Sequence, residues 1–257
     1  MRYQYWLHAA IIALSLFTQV ACTSLGRDVA RSSTIAPDVE TRGWERANRG
    51  IFRVNTGLDR AIVKPLARGY QAVTPQVVDE SVTNFFGNLS DVKTSVNALL
   101  QFKPRVAATS AGRVVVNSTL GLAGAFDVAS KMNLKKYNED FGQTLARWGM
   151  PSGPYVMLPL LGPSTLRDAV GRVADGFVDP LSYSKYPTQF TAVKVIDKRA
   201  DLLSSEKALH DLSDDQYSAL RDLWLQRRAY ELRDGVEDKA SEEKKDDMID
   251  LLESLDE

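Results

Sequence analysis

Between Val78 and Leu99, apolar residues fall at Val78, Val82, Phe85, Leu89, Val92, Val96 and Leu99. Steps of three and four are the spacing that an α-helix lines up on one side. Asn84, Asn88, Asp91 and Ser95 repeat at the same steps about a quarter turn away, so this helix carries a polar stripe beside its apolar one. Gly87 is a candidate break that would divide the segment into two helices. Whatever the rest of the chain forms must give this segment both an apolar and a polar environment. Taken alone, the periodicity favours a soluble helix packed on its neighbours.

The same helical spacing runs through Ile51, Val54, Leu58 and Ile62, with Pro65 placed to kink or end that helix. Another helix is expected after Pro104, through Val106 and Val114 toward Asn117. Gly121-Leu122-Ala123-Gly124 interrupts the pattern, and the stretch Pro151 to Pro163, with Gly153, Pro154, Pro159 and Gly162, reads as a structured loop or hairpin. Helix resumes near Thr165, and Ser213 with Gln216 three residues on forms a capping box for a last helix bearing Tyr217, Leu220 and Trp224. Tyr155-Val156-Met157-Leu158 is the one strand candidate. The fold class expected is therefore mainly α, a single helical domain over residues 44–233 with a Gly/Pro-rich hairpin loop.

No stretch of 18 apolar residues is present, which leaves no transmembrane helix to expect. Residues 1–21 read as a lipoprotein signal peptide: Arg2, then an apolar run from Ala9 to Phe17, then small residues before Cys22. Cys22 is the only cysteine, so an intrachain disulfide is impossible. Thr18-Gln19-Val20-Ala21-Cys22 resembles a lipobox, although Gln19 stands where an aliphatic residue is usual. It implies N-acyl and S-diacylglycerol lipid on Cys22 as the only non-protein group, with no other cofactor and no metal. Thr23, in place of the aspartate of inner-membrane retention, points to the outer membrane. Residues 22–43 form an acylated flexible tether of about 25 Å typical reach. At the other end, residues 234–257 hold eleven Asp/Glu against three Lys, an acidic tail behind a basic body.

Catalytic constellations are not found. The two histidines are His8 and His210, no His or Cys pair has metal-ligand spacing, and no Gly-x-Ser-x-Gly elbow occurs. Asp140-Phe141-Gly142 matches a kinase magnesium motif but lacks every companion motif. Basic residues are scattered and do not cluster with aromatic ones, so no nucleic acid is expected as a partner.

Trp44-Glu45-Arg46-Ala47-Asn48-Arg49, followed by Phe52, Asn55 and Leu58-Asp59, resembles the MlaA/VacJ family of outer-membrane lipoproteins. The likeness continues through Asn84-Phe85-Phe86-Gly87-Asn88-Leu89, Asn97-Ala98-Leu99-Leu100-Gln101 and Asn117-Ser118-Thr119-Leu120-Gly121. It is densest at Asp140-Phe141-Gly142-Gln143-Thr144-Leu145 with Trp148-Gly149, at Gly153-Pro154-Tyr155 with Pro159, and at Gly162-Pro163-Ser164 with Arg167-Asp168. Arg42-Gly43 departs from the family's usual Asp-Pro, and Ala146 stands where glycine is common.

The resemblance implies amphipathic helices arranged as a ring around a polar channel, lying in the membrane plane on the periplasmic side of the outer membrane. It implies a lipid-anchored, non-enzymatic protein that removes mislocalised phospholipids from the outer leaflet and passes them to a soluble periplasmic lipid carrier, in association with an outer-membrane trimeric porin. Under it, Gly149, Gly153, Pro154 and Tyr155 belong to a loop that either lines or gates the channel or is a rigid turn. Asn48, Asn55, Asn84, Asn88 and Asn117 face a polar lumen or bond between helices. The competing reading is a structural envelope lipoprotein that scaffolds partners without moving lipid.

Overall fold

Residues 42–204 and 215–236 are described by a computed structural model. The signal peptide, Cys22, the tether, Ser213 of the capping box and the tail beyond residue 236 lie outside the described residues. The first helix, α1 (Arg42–Leu58), passes through one π turn at Asp59–Val63 into α2 (Lys64–Val73). Pro65 sits just beyond that turn, where the Lys64 amide donates to the Asp59 carbonyl five residues back. Proline therefore changes the helical spacing here and does not end the helix.

The striped segment is one continuous helix, α3 (Gln76–Leu100), about 37 Å long at 1.5 Å per residue. Gly87 does not divide it; a Cβ there would lie 2.9 Å from the Lys136 ammonium, which crosses the helix at that point. After Phe102 and Lys103 comes α4 (Pro104–Thr119), packed along α3. Two short helices follow, α5 (Val128–Lys131) and α6 (Phe141–Arg147), capped by the Asp127 and Asp140 side chains.

Strands β1 (Tyr155–Leu158) and β2 (Gly162–Thr165) pair antiparallel, Tyr155 opposite Thr165 and Leu158 opposite Gly162, which makes the Gly/Pro segment a hairpin. Then come α7 (Leu166–Val178), a 3₁₀ turn at Pro180–Tyr183, α8 (Pro187–Asp201) and α9 (Gln216–Leu232). The observed cap of α9 is Asp215, whose carboxylate accepts from the Ser218 amide.

Contacts between these elements close a circuit. α1 packs on β1, β2 on α7, α7 on α6, both of these on α3, α3 on α8 and α8 on α2, which leads back to α1. Around this circuit the usual sorting of residues is inverted. Among the described residues nineteen polar or charged side chains are buried against eleven hydrophobic ones, five of them alanine. Charged residues are almost never fully buried unless paired, so the interior must be a hydrogen-bonded polar network. The helix α7 displays the inversion best. Arg167, Asp168, Gly171 and Asp175 face inward and are buried, while Leu166, Val170, Val173 and Phe177 are 54, 45, 68 and 72 % exposed. Among the described residues, a conventional apolar core lies beneath the hairpin, where Tyr155 and Met157 meet Tyr217 among Ile51, Phe52, Leu220, Trp224 and Leu225.

Candidate functional site

The hairpin is held by side chains, not by a third strand. On α1, Asn48 and Asn55 are two turns apart and so lie on one face. Asn48 donates to the Tyr155 carbonyl (3.1 Å) and accepts from the Met157 amide (2.8 Å). Asn55 repeats the pattern one step along, donating to Leu158 O and accepting from Leu160 N, both at 2.9 Å. Seven helical residues advance about 10.5 Å and three strand residues about 10 Å, so the two amides meet the strand in register. The Trp44 indole also donates to Tyr155 O at 2.7 Å, and the Tyr155 ring packs edge-on against Tyr217 and Trp224.

The other asparagines lie elsewhere. Asn84 donates to the Ala125 carbonyl (3.3 Å), and Asn88 donates to Ser118 Oγ (3.0 Å), its side chain so close to Gly124 that a Cβ there would lie 2.7 Å from it. Asn117 donates to Asp127 (3.1 Å) and accepts from the Ala129 amide (2.8 Å). Gly149 follows the end of α6 at φ +89°, and the Gly149 and Met150 amides return to Ala146 and Leu145, the glycine-terminated helix end that needs a left-handed residue. Gly153 is also left-handed, at φ +65°, and an added Cβ would press on Leu166 at 3.1 Å. Pro154 is exposed, and its carbonyl accepts from the Leu166 amide at the start of α7.

Behind the hairpin, the buried Arg228 of α9 uses all its donors. Its Nη atoms take both Asp140 oxygens at 2.7 Å, Nε and Nη2 take both Asp168 oxygens at 3.0 Å, and Nη1 also reaches Glu231 at 3.1 Å. Burial works against the Arg228 charge, but the bonds and attraction of Asp140 and Asp168 outweigh it and hold the guanidinium protonated more firmly than a free arginine. Burial likewise opposes the Asp140 carboxylate, and Arg228 overcomes it, so Asp140 is held below its ordinary range. A Cβ on Gly142 would collide with Asp168 and lie 2.6 Å from Arg228 Nη2, and one on Gly171 would meet Gly142 N at 2.5 Å. The Asp140-Phe141-Gly142 motif is thus a cap and a close approach of α6 to α7, serving the ion cluster.

Beside this cluster lies a cavity of about 230 Å³, lined by Lys93, Asp175, Arg172, Arg227 and Trp224 together with the Arg228 group. Asp175 accepts from Asn97 (2.9 Å) and from the Phe141 amide (3.1 Å). Burial raises its carboxyl, only partly opposed by Lys93 at 3.8 Å. Asn97 in turn accepts from Thr144, to which Gln101 donates, which carries the polar network along α3. Burial depresses Arg172 too, whose guanidinium donates to the carbonyls of Leu161 (2.9 Å) and Pro163 (2.8 Å) at the hairpin tip.

These interior groups, Lys93, Asp140, Arg172, Asp175 and Arg228, are not site residues that spacing alone suggests. A local signal for the polar face existed at Ser110, Arg113 and Asn117 on α4, which repeat the spacing of the α3 stripe. There Arg113, 1 % exposed, bonds to Asp91 (3.0 Å), to both Asp127 oxygens (3.0 Å), to Ser130 (3.0 Å) and to the Leu134 carbonyl (2.6 Å).

The family model described as MlaA lipoprotein matches residues 42–231. An uncharacterized protein of Rickettsia bellii is 34 % identical over 227 residues, covering 85 % of this chain and 89 % of its own length. The intermembrane phospholipid transport system lipoprotein MlaA of Escherichia coli is also 34 % identical, over 231 residues, covering 87 % of this chain and 88 % of its own. A solved structure described as the structural basis for maintenance of bacterial outer membrane lipid asymmetry superposes with TM-score 0.66 at 34 % identity. That match covers 73 % of this chain and 97 % of the other.

Proposed function

The chain belongs to the MlaA lipoprotein family, and from that premise we propose that it is the lipoprotein of an intermembrane phospholipid transport system. It withdraws phospholipids that have strayed into the outer leaflet of the outer membrane, hands them to a soluble periplasmic carrier and so maintains lipid asymmetry. Lipid on Cys22 anchors it to that membrane from the periplasmic side, with a trimeric porin beside it.

The observation that carries this reading is the inverted burial, seen best on α7. Phospholipid transfer faces two opposed costs. Burying a charged headgroup in hydrocarbon without partners is prohibitive, and drawing acyl chains into water loses about 0.8 kcal/mol per CH₂. A body whose outside is apolar and whose inside is polar lets the headgroup travel in a wet interior while the chains remain in hydrocarbon. The outward stripe from Leu166 to Phe177 extends about 16 Å, the depth of one leaflet, roughly half of a 30 Å core. None of the described helices is long and apolar enough to cross a membrane, which suits a body seated in a single leaflet.

Three turn tips add support. Phe102, Leu122 and Leu160 have φ of 58°, 51° and 62°, a left-handed backbone that favours glycine, and are 87, 69 and 77 % exposed. Water gives no reason to place large apolar side chains on strained tips; a lipid phase does.

The test uses a Cys22→Ser chain, which has no acyl anchor, and cells lacking the protein. The body is expected to need detergent without its acyl chains, and amine-reactive labelling of intact cells is expected to find more outer-leaflet phospholipid when the protein is missing. A Cys22→Ser chain that stays monomeric in plain buffer, together with unchanged labelling, would sink the reading and favour a tethered scaffold.

A further inference from the structure

α4 and α5 take no part in the circuit that closes the interior; α4 packs along α3, and α5 on α4. From the end of α4 the chain runs back across the middle of α3, and its polar groups fasten it there. The Ala125 carbonyl accepts from Asn84 and the Leu134 carbonyl from Arg113, and the Ala129 amide donates to Asn117. Asp127 pairs with Arg113, and the Lys136 ammonium lies 3.4 Å from Asp91. A Cβ on Gly121 would collide with the Asn117 and Phe126 carbonyls, so the turn out of α4 is drawn tight. Fastened on that side, the segment turns a defined face outward.

That face is apolar and cationic. Leu120, Leu122, Phe126 and Met132 are exposed. Leu122 and Ala123 take left-handed backbone, although Gly121 and Gly124, which would adopt it more readily, stand on either side. Lys131 and Lys135 are exposed as well, and neither makes an ion pair among the described residues; Lys135 rests over the Tyr137 ring at 5.4 Å. Asp127, the one carboxylate in residues 120–136, is turned to Arg113 and Ser130. Interfaces between proteins are poor in lysine. Segments that lie in a bilayer surface instead join large apolar residues to lysines, whose stems follow the apolar surface while the ammonium stays at the headgroups.

We propose that residues 120–136 form a lip seated at the headgroup level of an anionic leaflet. Leu120, Leu122, Phe126 and Met132 enter the acyl region, and Lys131 and Lys135 bind headgroup phosphates. The proposal rests on the reading that the body sits in one leaflet, and it names the edge by which the body grips the lipids around it. Those lipids are resident neighbours outside the circuit of helices, not cargo within it. Attraction to their charge adds to the burial of the apolar side chains and fixes how deep this edge rides.

The experiment uses the full chain carrying Cys22→Ser, which lacks both the acyl anchor and the only thiol. It is diluted from mild detergent into vesicles of phosphatidylcholine alone, or of phosphatidylcholine and phosphatidylglycerol in equal parts, and binding is read by flotation. This parent is expected to bind both and to favour the mixed vesicles. K131Q/K135Q should bind mixed vesicles about 25-fold more weakly, ~fivefold for each lysine. It should bind phosphatidylcholine as the parent does and keep the parent's circular dichroism melt, because both side chains are exposed. L122S should weaken binding to the two vesicles alike. A polarity-sensitive label on L122C, with F177C on α7 as reference, should shift to the blue at both positions on mixed vesicles. Mixed-vesicle binding by K131Q/K135Q equal to the parent's would overturn the lip and leave that face to an acidic protein partner. A water-like label on L122C beside a blue-shifted one on F177C would overturn it too, while the seating of the body stands. A parent that floats with neither vesicle, its label water-like at both positions, would instead remove the seating itself.

Discussion

Replacing Arg113 with methionine tests whether the polar interior is held together by matched charge. The guanidinium is enclosed by Asp91, fully buried, and by Asp127, Ser130 and the Leu134 carbonyl. Methionine fills much of the same volume but leaves Asp91 sealed from water, with only the half-exposed Lys136 ammonium at 3.4 Å to compensate. Stranding one partner of a buried pair costs about 3–5 kcal/mol. Arg113 is sealed from water, but Lys136 still reaches Asp91, so the lower part of that range, ~3 kcal/mol, applies. For a domain of this size each kcal/mol moves the melting temperature by about 2–4 °C, giving an expected loss of about 6–12 °C.

Circular dichroism melts in detergent at two pH values, with D91L/R113M as the third protein, make the test specific. In R113M the buried Asp91 carboxylate keeps only Lys136 as a charged neighbour, so the variant is expected to melt below the parent at both pH values. In the parent, Asp127 is held well below the ordinary carboxylate range, because hydrogen bonds from Ser130 and Arg113 outweigh its desolvation. Its contribution is lost only as pH falls through and below the usual value of 3.8. The double variant removes both charges and is expected to recover most of the loss. A single variant as stable as the parent, or a double variant worse than the sum of its parts, would refute the argument that Arg113 is there to neutralise Asp91.

Two further outcomes follow from the same geometry. Asn48→Ala leaves the buried Met157 amide without its 2.8 Å acceptor and costs about 1–3 kcal/mol. Hydrogen exchange at Met157 should accelerate far more than exchange at Leu160 does in Asn55→Ala, because Leu160 is already 77 % exposed; equal acceleration would contradict the clamp. Asp197 is buried, accepts from Thr83 and Tyr70, and has its carboxyl raised by desolvation and then by the nearby Asp201 and Asp79. A raised acid penalises folding as pH climbs past its unfolded value, so Asp197→Asn is expected to raise the melting temperature at pH 7 and to flatten its fall between pH 4 and 7. An unchanged slope would show that Asp197 does not titrate there.

Local regularities were legible in the sequence, and their direction was not. The extents of α3 and α4 follow from spacing within each segment, and β1 from a short β-prone run between breakers. Gly87 misled because a glycine that admits a crossing lysine looks, in sequence, like one that ends a helix. Asp140-Phe141-Gly142 was visible as a motif and opaque in meaning, since the arginine that explains it lies 88 residues away. The interior cations were read as scattered because they are: Lys93 and Arg227 share a cavity only after α3 and α9 have been brought together.

The deepest omission concerns the sign of burial. A helix with an apolar stripe and a polar stripe has the same periodicity whichever stripe faces inward, and exchanging inside for outside leaves composition, charge and mean hydropathy untouched. Phe177 and Asp175 sit two positions apart on α7 with the same helical rhythm that a soluble protein would give them, yet Phe177 is 72 % exposed and Asp175 is buried. What distinguishes the two solutions is partnership. An inward carboxylate is tolerable only if something across the interior bonds to it, and Asn97 and Phe141, which do so for Asp175, come from α3 and α6, with the Lys93 ammonium of α3 adding its charge at 3.8 Å. Inversion is therefore a property of pairs of elements and becomes visible only when the circuit of helices closes.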